Sequence, residues 1–120
     1  MSRGSWLAAL AWAVAILVAT SIPGSNLPRA FPGADKLVHL ALYAPLGVLV
    51  ARALRGRAPA PRRTVVAWVG AFALFAAADE WHQDFIPGRS SDRIDWLVDV
   101  VASTTGLVVA TTSLRSEQRT

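Results

Sequence analysis

The chain of 120 residues contains no cysteine. Disulfides, thiolate metal sites and a cysteine nucleophile are therefore excluded. Charge is also scarce: 17% of the residues are Asp, Glu, Lys or Arg, against about 25% in soluble domains. The sequence holds no HExxH, no G-x-S-x-G and no phosphate-cradling glycine loop ending in Lys-Ser/Thr, so three familiar routes to hydrolysis are missing. Ser90 and Ser91 are the serines nearest the polar segments, and their place before a helical pattern suits capping better than nucleophilic attack. Acidic residues number eight, yet seven of them gather in three short stretches: Asp35, then Asp79, Glu80 and Asp84, then Asp92, Asp95 and Asp99.

What is present is apolar. Hydrophobic residues make up 53% of the chain, and they fall into long runs of the kind that cross a bilayer. The first run is about 6–22, without charge, and ends at Pro23-Gly24. The second, about 37–54, carries His39, Tyr43, Pro45 and Arg52. Pro45 should kink that helix and free a carbonyl. The third stays apolar from Thr64 to Ala78. About 15 residues rise only about 22 Å, short of a hydrocarbon core of about 30 Å. The helix must then continue to Gln83, which carries Asp79 and Glu80 to the membrane rim. The fourth run is about 92–114. The pattern predicts an all-α, multi-pass, four-helix membrane bundle with short loops, one domain over residues 1–120. A cleaved signal peptide with Ala19-Thr20-Ser21 at its end is the rival reading of the first run; its long core with Trp6 and Trp12 weighs against that.

The arginines set an orientation. Arg3, Arg52, Arg55, Arg57, Arg62, Arg63, Arg115 and Arg119 would share one side with the single acid Glu117, while Arg29, Lys36, Arg89 and Arg93 would share the other with seven acids. The basic side should be cytoplasmic, with both termini. The same clustering explains the pI near 11.1 without nucleic acid as a partner.

Helical spacing then aligns the polar residues. Asp35, His39 and Tyr43 are four apart, and Lys36 lies three before His39. Asp79, Glu80 and Gln83, and likewise Asp92, Asp95 and Asp99, repeat those spacings. Each set shares one helix face, and such faces turn inward because lipid does not solvate them. Helix one supplies no charge and is expected to serve as an apolar wall. Plainer roles exist for some members: Asp35 and Asp92 as helix caps, Lys36 snorkelling to headgroups, and Arg89 with Asp95 or Glu80 as a structural ion network. Two functional readings compete with these. In one, Arg89 and Lys36 meet the phosphate of a lipid or amphiphile, and Tyr43, Gln83 and Asp99 complete the binding site. In the other, Asp35, His39, Asp79, Glu80 and Asp95 perform acid–base chemistry, with His39, Glu80 and Asp95 as candidate ligands of a divalent cation.

Three segments, taken in order, resemble the VanZ-like family of small bacterial membrane proteins. They are Asp35-Lys36-x-x-His39-x-x-x-Tyr43, then Asp79-Glu80-x-x-Gln83 with Phe85-x-Pro87-Gly88-Arg89, and Asp95-x-x-x-Asp99. The resemblance implies a multi-span helical protein of the cell membrane, and its founding member is associated with teicoplanin resistance. An outward-facing site that binds or modifies a cell-envelope amphiphile, a lipid-linked precursor or a lipoglycopeptide, is consistent with that association. A membrane-embedded metal-dependent hydrolase or transferase, and an assembly factor with a protein partner, are the alternatives. This chain departs from the family's usual asparagine at Asp99 and usual glycine at Ala102. The extra carboxylate would strengthen a cation site or require a protonated acid.

Overall fold

The computed structural model describes residues 3–23, 33–54, 61–89 and 91–119, with side chains through Ser113. Its elements are α1 (Arg3–Thr20), α2 (Ala34–Ala53), α3 (Arg62–Gln83) and α4 (Arg93–Arg119). All four are long and apolar enough to cross a membrane, α4 through its Arg93–Ser113 portion. α1, α2 and α3 begin a few residues before their apolar runs, because helical hydrogen bonding continues into the polar flanks. As expected from its length, α3 reaches Gln83 and carries Asp79 and Glu80 inside the helix. α2 runs unbroken through Pro45. The basic linker from 55 to 60 and the Ser90 cap lie outside the described residues.

Local chemistry sets the helix ends. Gly33 precedes α2 with φ of 86°, a left-handed conformation that costs glycine nothing. Asp35, expected as a cap, instead sits in the first turn, and no side chain caps this end. Asp92 does cap α4: its Oδ1 accepts from Ile94 N at 2.8 Å and its carbonyl accepts from Trp96 N. Between α3 and α4, Ile86-Pro87-Gly88-Arg89 forms a turn closed by Arg89 N on the Ile86 carbonyl, with Gly88 at φ 75°. Proline followed by a positive-φ glycine is the type II arrangement.

The surface and the interior exchange their usual characters. Leu7, Leu10, Val14, Val18, Val66, Leu74, Val101 and Val109 are exposed, whereas His39, Asp79, Glu80, Gln83, Asp95 and Asp99 are buried. Water would solvate the opposite distribution; hydrocarbon solvates this one. Aliphatic and aromatic residues fill the rest of the interior, among them Ile16, Tyr43, Leu46, Val50, Phe72 and Leu107.

α2 and α4 run parallel, as contacts 36 to 95, 39 to 99 and 47 to 103 follow the same order on both. They also pack closest. A Cβ on Gly47 would stand 1.9 Å from the Ser103 carbonyl oxygen, and one on Gly106 would stand 2.2 Å from that of Ala44. Only a missing side chain permits this approach, and close backbone contact is a main source of helix association in lipid. Two indoles tie the remaining helices on: Trp12 Nε1 donates to the Leu42 carbonyl at 2.6 Å and Trp96 Nε1 to that of Ala73 at 3.0 Å. Gly47→Ala should therefore destabilise the bundle by about 1–3 kcal/mol through overpacking. Gly70→Ala, where an added Cβ meets nothing within 4 Å, should be neutral or slightly stabilising. Equilibrium unfolding in mixed detergent reads both.

Candidate functional site

The polar stripes meet at the end of the bundle where α1 and α3 finish and α2 and α4 begin. They form three tiers. At the rim, Lys36 Nζ donates to Asp35 Oδ2 at 3.0 Å, to Asp92 Oδ2 at 2.9 Å and to Asp95 Oδ1. Lys36 is thus the hub of an ion network. The ammonium, followed by the Ile94 N–H, holds the Asp92 carboxyl below the usual carboxylate range. Asp35 remains exposed beside it.

The middle tier is buried. His39 Nδ1 and Asp99 Oδ1 share a hydrogen bond at 2.7 Å, and His39 Nε2 lies 3.7 Å from Asp95 Oδ2. Glu80 Oε2 accepts from Asp92 N at 3.0 Å and its Oε1 from Gln83 Nε2 at 3.3 Å. One atom each from His39, Glu80 and Asp99 lies within 4.8 Å of the others. The sequence reading put Asp95 in that group. In the structure Asp99 completes the group, while Asp95 Oδ1 accepts from Lys36 and its Oδ2 stays near the histidine.

The deepest tier centres on Asp79, which has no exposure. Thr20 Oγ1 donates to Oδ1 at 2.7 Å and Tyr43 OH to Oδ2 at 2.8 Å. α1 is therefore more than an apolar wall, since its last residue supplies one of the two donors. Charge spacing gave no hint of Thr20; a hydroxyl residue at the end of an apolar run, able to bond across helices, was the available signal.

Arg89 takes a different place from the one expected. Its Nε donates to the Ile22 carbonyl at 2.9 Å and its Nη2 to that of Ala19 at 3.3 Å. A cation there satisfies carbonyls at the end of α1 and complements the helix dipole, so it does not pair with Glu80 or Asp95. Of the remaining acids, Asp84 accepts from Ser91 N and Oγ and organises the loop.

Beside the tiers a groove of about 440 Å³ opens between α3 and α4. Glu80, Asp84, Asp92 and Arg93 line it together with Trp81 and Trp96. Glu80 belongs to both groove and buried cluster.

Ionisable groups inside and aliphatic groups outside define an integral membrane protein whose polar site draws on all four helices. The VanZ/LLP1 family model matches residues 5–114, nearly the whole chain, and the chain belongs to that family. Comparison with curated proteins and with solved structures gives no match.

Tyr43→Phe and Thr20→Val each leave one oxygen of a fully buried carboxyl without its donor. Each should cost about 1–3 kcal/mol, and both costs should largely disappear in an Asp79→Ala background. A double-mutant cycle by unfolding in mixed detergent measures the coupling.

Proposed function

We propose that this protein binds the headgroup of a cell-envelope amphiphile at the outer face of the cell membrane, through the groove between α3 and α4. The groove itself carries the reading. It brings carboxylates and an arginine together with two tryptophans, and amphipathic indoles are at home where an apolar chain meets a polar head. Glu80, Asp84 and Asp92 favour a head bearing hydroxyls or an amine, with Arg93 available to an anionic group. Lys36 and Arg89 contribute indirectly, since the first gathers carboxylates and the second ends α1. The basic segments at the other end support an orientation with that end cytoplasmic. In this reading, altered handling of an envelope precursor or of a lipoglycopeptide is the route by which such a protein would affect glycopeptide tolerance.

Two measurements test this. Mass spectrometry of the gently purified full chain should find one amphiphile class retained above bulk lipid. Trp81→Ala and Arg93→Gln should reduce its retention by about tenfold, equivalent to about 1.4 kcal/mol. Retention of bulk lipid alone, or retention that ignores both changes, would overturn the proposal. The native chain lacks cysteine, so single replacements report cleanly on orientation. Ser91→Cys should react with a membrane-impermeant thiol reagent added outside intact cells, and Arg57→Cys should not; the reverse pattern would invert the assignment.

A further inference from the structure

We propose that His39, Glu80 and Asp99 form a binding site for one divalent transition-metal ion, of the zinc or manganese class. Three observations lead there. The three side chains come from α2, α3 and α4, are all buried, and present ligand atoms within 4.8 Å of one another. Asp99 has no exposure, and its Oδ2 has no hydrogen-bond partner among the described residues. An orphaned carboxylate oxygen at such depth is costly unless something positive meets it.

The third observation is the disposition of charge. Asp79, Glu80, Asp95 and Asp99 are buried carboxyls. Asp95 is answered by Lys36 and Asp79 by two hydroxyls. Among the described residues, Glu80 meets only a backbone N–H and an amide, and Asp99 only His39. Glu80 and Asp99 are therefore the buried carboxyls met by neither a lysine nor a hydroxyl, and both lie close to the histidine. One imidazole nitrogen with two carboxylate oxygens suits a borderline ion better than calcium or magnesium, which take oxygen ligands. Three protein ligands leave at least one coordination position open, and Glu80 also lines the groove. Asp95 Oδ2 lies 3.7 Å from His39 Nε2, beyond hydrogen-bond reach.

The site is independent of the headgroup reading, since the groove can hold an amphiphile with or without an ion behind it. The test uses the untagged full chain, purified in detergent and stripped with a chelator. Calorimetric titration with Zn²⁺ and with Mn²⁺, and elemental analysis, should give one ion per chain for at least one of them. Asp99→Asn, Glu80→Gln and His39→Gln should each weaken binding by at least about tenfold. His82→Gln, which changes the only other histidine, and Asp84→Asn should leave it unchanged. Substoichiometric binding, or affinity indifferent to the first three replacements, would overturn the site. X-ray absorption of the loaded native chain covers the case in which a variant does not fold. One imidazole with oxygen donors is expected, and a shell of oxygens alone or of two imidazoles rejects the assignment. Amphiphile retention measured on the same stripped protein separates the two proposals: retention without stoichiometric metal ends this one alone.

Discussion

Everything at the polar end depends on how closely α2 approaches α4. In lipid, helices gain little from hiding apolar surface, because the solvent is apolar too. Backbone contact, and the dispersion that comes with it, holds them instead. Gly47 against Ser103 and Gly106 against Ala44 allow that contact. The two glycines also fix the register of a parallel pair. With Gly47 seated at Ser103, the next turns toward the polar end set His39 opposite Asp99 and Lys36 opposite Asp95. A helix that slid by one turn would separate each ionisable group from its partner and leave it buried alone. Steric fit in the apolar half therefore protects the electrostatics of the other half.

Within the polar end, depth sorts the solutions to a buried carboxyl. Near the rim, a lysine on a long flexible stem serves three acids at once. Its head remains partly accessible, so the desolvation cost of the group is limited. At greater depth a full countercharge is replaced by neutral donors, and Asp79 is met by a threonine and the single tyrosine. Such donors satisfy both oxygens without bringing a second charge out of water. The tier between is the unfinished one, where a histidine, a glutamate and a second aspartate converge with one oxygen unpaired among the described residues. Structural needs account well for the outer and inner tiers and poorly for the middle one.

Much of this was legible beforehand because two periodicities overlap in the sequence. The short apolar run of the third helix forced Asp79 and Glu80 inside it, and α3 does extend to Gln83. The three- and four-residue spacings of His39–Tyr43, Asp79–Gln83 and Asp95–Asp99 placed those residues on buried faces, where they are found. Individual pairings were not legible. Spacing along a helix says which residues share a face, but says nothing of the neighbour's register, and that register was set by Gly47 and Gly106 in the apolar segments. So Arg89 met carbonyls of α1 instead of an acid, and Asp99 rather than Asp95 lies within 4.8 Å of both His39 and Glu80. Thr20 was invisible to a reading built on charge, since its hydroxyl acquires importance only from the carboxyl that α3 brings to it.

Glu80 faces both ways. One oxygen accepts the Asp92 N–H at the start of α4, and so ties the position of the rim to that of the buried tier. The same side chain forms part of the wall of the groove. A positively charged or hydroxylated head lying in that groove would compete for a carboxylate already engaged with the α4 start. Its arrival would therefore alter the Glu80–Asp92 bond, and through Asp92 the load carried by Lys36. The bond is charge-assisted and short-range, so the effect fades quickly with distance. It extends to Asp95 through the same ammonium, but Asp79, held by its two hydroxyls on the far side of the histidine tier, stands outside it. Occupancy of the groove would thus be felt by the rim and the middle tier, and not by the deepest hydrogen bonds.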